Sequence, residues 1–163
     1  MAVKDDDEGG MGHKDTTLFK KIFESSPIGI ALTTPDLHFI AVNPSWSAMT
    51  GYTQDDLLQR TVRDITHPEH LTGDLEQIRQ LALGALPFYR TEKRYIRKDG
   101  STLWGRLAVT PLRDTSGELM YFLAQIEDIT GYRGAEQELR ESNRKLKEAQ
   151  EMAHMGFWSW DVT

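Results

Sequence analysis

The sequence predicts an α+β domain, an antiparallel sheet with helices on one side, followed by a helical extension. Three observations predict it. Two short apolar runs near the start and three longer β-rich runs near the end bracket a region of short helical signals. Asp99-Gly100 and Asp114-Thr115-Ser116-Gly117 separate the later runs as tight turns. Beyond residue 130 the chain becomes polar and helix-forming, with Leu139 and Leu146 seven apart.

The elements follow in order. Residues 1–15 are acidic and Gly-rich and bury too little apolar surface to offset ordering, so they are expected to be a disordered leader. Leu18, Phe19, Ile22 and Phe23 have helical spacing, and Ser25-Ser26-Pro27 stops that helix. Residues 28–34 and 37–42 form a hairpin about the Pro35-Asp36 turn. Asn43-Pro44 then supplies an N-cap and a first-turn proline, with Trp46 and Met49 on one face of the helix that follows. Gly51 breaks that helix, and Thr53 caps another short one carrying Leu57 and Leu58. Residues 61–66 form one more turn. His67-Pro68 repeats the cap-then-proline pattern, and Leu71, Leu75, Ile78 and Ala82 place an apolar stripe on a longer helix ended by Gly84. Strands are expected over 89–98, 101–113 and 118–128, giving five in all. The final helix, 131–154, carries Tyr132, Leu139, Leu146 and Ala153 on one seam, and a poor second seam of either Ala135, Ser142 and Ala149 or Glu136, Asn143 and Gln150. It reads as a coiled coil that is marginal alone.

Composition narrows the function. The chain has 163 residues, enough for one domain with extensions. A net charge of −6 opposes phosphate backbones and anionic membrane surfaces, so no nucleic-acid partner is expected. Cysteine is absent, which excludes disulfides, thiolate nucleophiles and Cys-ligated metals. No apolar run approaches the roughly 18 residues that mark a membrane span, and the N-terminus lacks a signal peptide's apolar stretch. The expected location is therefore cytoplasmic. No nucleophile elbow, phosphate loop or metal-ligand spacing is present, so no catalytic residue is assigned and the chain is read as a non-enzyme.

Several short stretches occur together in this order: Ile22-Phe23-Glu24-Ser25-Ser26-Pro27-Ile28-Gly29-Ile30-Ala31, Val42-Asn43-Pro44, Gly51-Tyr52 and Asp64-Ile65-Thr66-His67-Pro68. Arg97-Lys98-Asp99-Gly100, Trp104 and Asp128-Ile129-Thr130 follow. On these the chain resembles the PAS domain of the S-box type found in bacterial signalling proteins, over residues 16–130. The resemblance implies a five-stranded antiparallel sheet with short helices on one face and a coiled-coil-like C-terminal helix. Residues 131–154 would be a helical signalling linker. Residues 155–163, with Phe157, Trp158 and Trp160, look like the truncated start of a following PAS domain; the alternative is a helix end packed on the first domain.

The family holds ligands between the inner sheet face and the longer helix. That register implies Tyr95, Leu107, Val109, Met120, Phe122, Ala124 and Ile126 on the sheet side of a pocket. Trp46, Met49, Val62, Ile65, Leu75 and Ile78 would close the other side. The same residues also make an ordinary core, which needs no ligand to explain it. Val62 stands where light-sensing relatives carry the reactive Cys, so a flavin adduct is excluded. Gly105 and Ile126 replace the polar flavin clamps. His70, in the first turn of the long helix, is the only candidate haem ligand there, and the helix start itself accounts for it. No cofactor is expected, and an unknown small molecule is left open. Asp128, Ile129 and Thr130 would couple the sheet to the exit helix, as they do in the family. Trp104, Leu112, Leu119, Tyr121 and Leu123 on the outer face call for a cover, either the first helix or a second copy. Two functions follow. One is a sensory or relay module passing a ligand or conformational signal to neighbouring PAS and output domains. The other is a ligand-free homodimerisation module whose core is packed solid.

Overall fold

A computed structural model of the chain describes residues 9–158, and the outer parts of the expected leader and stub, 1–8 and 159–163, lie outside them. Helix α1 spans Gly9–Ser25, so residues 9–15 are helical and not part of a disordered leader. The turns set up by Leu18–Phe23 propagate toward the N-terminus through main-chain bonding, and the Thr16 and Thr17 hydroxyls donate back to the Gly12 and His13 carbonyls. Strands β1 (Gly29–Thr33) and β2 (Phe39–Val42) form the first hairpin. Helices α2 (Pro44–Thr50), α3 (Gln54–Leu58), α4 (Val62–Ile65) and α5 (Pro68–Ala82) follow. Then come β3 (Tyr89–Ile96), β4 (Thr102–Arg113) and β5 (Leu119–Asp128).

The five strands form one antiparallel sheet in the order β2-β1-β5-β4-β3. The first hairpin therefore joins the later meander through β1 and β5, with Ala31 opposite Ala124. Both sheet edges take backbone pairing from the helical segment. His38 bridges Thr61 beside β2, where Phe39 N–H donates to the Arg60 carbonyl; Thr66 bridges Tyr95 beside β3, where His67 N–H donates to the Arg94 carbonyl. These bonds fix α4 and the start of α5 against the sheet edges.

The caps expected from sequence are formed, and one does more than cap. Asn43 Oδ1 accepts from Trp46 N–H at 3.0 Å, and also from Ile30 N–H at 2.8 Å. Its amide nitrogen donates to the Phe23 and Ile28 carbonyls. One fully buried side chain thus ties α1, β1 and α2 together. His67 caps α5 through Nδ1, which accepts from Glu69 N–H. Gly51 and Gly84 take positive φ just beyond α2 and α5. Leu37 also has positive φ, 73°, in the turn between β1 and β2, and its side chain is buried.

Two expected faces are corrected. Met120 does not face the core and is 44% exposed. Leu112 pairs with Tyr121, and Arg113 with Leu119, so Met120 is the extra residue of a β-bulge that reverses the alternation. Leu119 consequently packs against the core instead of standing on the outer face. On α5 the most deeply buried residues are Asp74, Ile78 and Leu81, and Leu75 and Ala82 of the expected stripe also pack against the core.

Ile129 begins a second unit, in which α6 spans Thr130–Trp158. The helix continues past the expected end at residue 154. Tyr132, Leu139 and Leu146 are exposed along it. Among the described residues no helix is long and apolar enough to cross a membrane.

Candidate functional site

Between the concave sheet face and α5 lies a core cavity of about 30 Å³, room for about one water. Of the residues expected to form a pocket, Trp46, Val62, Ile78, Tyr95, Leu107, Val109, Phe122, Ala124 and Ile126 line it. Besides the outward Met120, three do not. Ile65 is wholly buried elsewhere in the core, Met49 lines a surface cleft beside Arg97 and Asp128, and Leu75 lines a surface groove near Pro35. Ala31, Thr33, Leu37, Phe39, Asp74 and Lys93 line the cavity without having been expected.

Packing around the cavity is tight. The Trp46 and Tyr95 rings meet edge-on at 4.9 Å, with 78° between their planes. The Trp46 indole N–H is buried with no hydrogen-bond partner among the described residues. The Tyr95 ring approaches β4 closely because residue 105 is glycine: a Cβ there would come within 2.7 Å of Tyr95 Cε2 and 2.8 Å of Ile126 Cγ2. Gly105 thus makes room for a buried ring.

The polar chemistry of the site is an ion pair that sequence reasoning missed. Lys93 Nζ donates to Asp74 Oδ2 at 2.5 Å, and the two residues are 2% and 3% exposed. Lys93 also donates to Thr66 Oγ1 at 3.2 Å, and its ammonium lies 4.7 Å from the centre of the Tyr95 ring. The Tyr89 hydroxyl donates to Asp74 Oδ1 at 2.9 Å. Burial pulls the Lys93 ammonium below the usual lysine range, against the opposing pull of the Asp74 carboxylate. Burial, and then the Asp74 charge, push both the Tyr89 and Tyr95 hydroxyls well above the ordinary phenol range. A parity signal was available for Lys93: it shares an inward position with Tyr95, two residues along β3.

His70 does not line the core cavity. Its Nε2 accepts from Arg94 Nε at 3.2 Å, and its ring meets Trp104 edge-on at 5.6 Å. Among the described residues no group of three His, Cys, Asp or Glu side chains is placed to hold a metal. Asp128, at the end of β5, lies 4.0 Å from Arg97, whose Nε donates to the Met49 carbonyl. Ile129 is buried, and Thr130 opens α6.

The family model for the PAS domain matches residues 27–131. A probable diguanylate cyclase, DgcE, of Escherichia coli K12 is 35% identical over 146 residues, which are 90% of this chain and 13% of that protein. The sensor histidine kinase TmoS of Ectopseudomonas mendocina is 30% identical over 138 residues, 85% of this chain and 14% of that one. The crystal structure of a PAS domain from Colwellia psychrerythraea superposes with a TM-score of 0.62 at 22% identity, covering 72% of this chain and 98% of that one. The chain belongs to the PAS domain family and is a sensory signalling module. It spans about a seventh of the length of these two curated relatives.

Proposed function

We propose that the chain is a relay module of a larger, multidomain signalling protein, acting in the cytoplasm and without catalytic activity of its own. The observation that carries this reading is the double duty of β5. Phe122, Ala124 and Ile126 of that strand line the core cavity, and one residue after the strand ends the chain enters α6. A change in core packing therefore acts on the strand that leads into the output helix. The small cavity supports a signal that arrives as conformation, from a neighbouring domain, over a bulky internal ligand. Further domains would supply the output chemistry.

The test is hydrogen exchange on the whole chain with Ala124→Val, which overfills the cavity wall. Altered protection in the first turns of α6 is expected. Unchanged exchange throughout α6, with altered exchange in the sheet, sinks the relay.

A second observation favours association of two copies. Phe19 is 71% exposed on α1, beside an apolar groove lined by Ile22, Phe23, Ile30, Leu32 and Leu123. Helix α1 therefore leaves the outer sheet face partly uncovered. The exposed stripe Tyr132, Leu139 and Leu146 on α6 is also suited to a parallel partner helix. We infer a homodimer. Light scattering at high micromolar concentration should give twice the chain mass, reduced to the chain mass by Phe19→Glu with Leu139→Glu. A monomer mass for the unaltered chain refutes the dimer.

A further inference from the structure

The Asp74–Lys93 pair sits between two spaces. Both residues line the small core cavity, and both also line an open cleft of about 490 Å³ between α5 and β3. The pair is therefore the partition between solvent and the domain interior. We propose that this cleft is a recognition site for a small organic carboxylate, which takes Lys93 and Tyr89 in exchange for the carboxylate of Asp74.

The donors are already arranged for a carboxylate. Asp74 Oδ2 accepts from Lys93 Nζ and Oδ1 from Tyr89, so both oxygens are engaged by groups on β3. The carboxylate itself comes from α5. A carboxylate from solution meets the same two donors without requiring anything new of the strand. The cleft rim favours an anion. Glu69 and His70 are both engaged by Arg94, whereas Arg90 has no carboxylate partner among the described residues and rests over the Phe88 ring.

Volume sets the mode of binding. The interior admits about one water, so only the ligand's carboxylate reaches the partition and its body stays in the cleft. Exchange keeps the Lys93 charge paired throughout, which avoids the large cost of an unpaired buried ammonium. Asp74 regains hydration when displaced, and α5 loses its polar tie to β3. The ligand thus favours a state in which α5 is released from the sheet. This goes beyond the relay reading by adding a small-molecule input to the one from a neighbouring domain; it rests on that reading for transmission alone, and binding is read separately.

The test is an amide-resolved NMR titration of the whole chain with sodium acetate, succinate and glutamate, against sodium chloride at equal ionic strength and methylammonium chloride as a cation control. At least one carboxylate should give saturable shifts at Gly73, Gln77, Arg90 and Thr91. Arg90→Gln, a surface change, should weaken that binding by about tenfold, the usual loss for one charge-assisted contact. Asp74→Asn with Lys93→Met removes both buried charges together and should abolish saturation in a folded protein. The site is refuted if none of the three saturates, if methylammonium alone does, or if the double variant binds with unchanged affinity. Saturation at the cleft with α6 amides unmoved upholds the site and removes the relay.

Discussion

Lys93 and Asp74 form an ion pair inside a core whose other cavity-lining side chains are almost all apolar. A buried pair of this kind is a poor source of net stability, because desolvation offsets much of the attraction, yet it is costly to break. Asp74→Ala leaves the Lys93 ammonium uncompensated and should destabilise the chain by about 3–5 kcal/mol. Asp74→Leu with Lys93→Met should recover most of that loss. Urea unfolding midpoints at unchanged slope measure both. A single variant as stable as the unaltered chain would remove the pair from the core.

Asn43→Ala should cost more than an ordinary cap. It removes two acceptor and two donor contacts from a fully buried side chain. A cap alone is worth about 1 kcal/mol, and each buried group left unpaired adds about 1–3 kcal/mol. A loss above about 2 kcal/mol is expected in thermal or urea unfolding. Asn43→Asp keeps both acceptors but loses the two donors and buries a charge, so it should not rescue.

Gly105→Ala tests the packing of Tyr95. The added methyl meets the Tyr95 and Ile126 side chains inside contact distance, and overpacking of this kind costs about 1–3 kcal/mol. In a double-mutant cycle, Tyr95→Leu should relieve part of that cost. Strict additivity of the two changes would show that Gly105 and Tyr95 do not share the space.

Acid should destabilise the fold through its carboxylates. Hydrogen bonds from Arg79 and Gln80 pull Glu76 down to about 2 from its ordinary 4.5. Local bonds likewise depress Asp56, Asp64 and Asp114, chiefly from Lys98, the Thr61 backbone and Ser116 respectively. A carboxylate depressed in the folded state stabilises above its unfolded value, and the contribution fades as pH falls through the folded value. For Glu76 the loss runs from about pH 4.5 down to about 2. It is exposed, so its share is small. Carboxyl-detected NMR titration checks the midpoint, and an ordinary Glu76 value would contradict the bonding to Arg79 and Gln80.

Much of the architecture could be read in advance because it rests on local signals. Asn43-Pro44, His67-Pro68 and Asp99-Gly100 mark their boundaries through capping and turn chemistry that acts over a few residues. Nine of the thirteen residues expected at the pocket line the cavity because strand alternation and helical spacing place them there. The misses are nonlocal. Met120 faces out because a bulge depends on how β5 pairs with β4. Asp74 and Lys93 are charged, and charged side chains default to solvent unless a partner lies opposite, which is a fact about two distant segments. On α5 the apolar stripe finds the core through Leu75, Ile78 and Ala82, but an apolar count passes over the inward Asp74 for the same reason.

The backbone bridges beside β2 and β3 have a consequence for life at high protein concentration. An open sheet ends in rows of unpaired amides and carbonyls, which invite a foreign strand and so seed aggregation. Here β2 is only four residues long and borders Arg60 and Thr61, while the far end of β3 is closed by Thr66 and His67. The border left for a stray strand shrinks to the beginning of β3, beside the polar cleft. The short helices between the hairpin and the meander thus act as bumpers, and loosening them should show itself first as clumping.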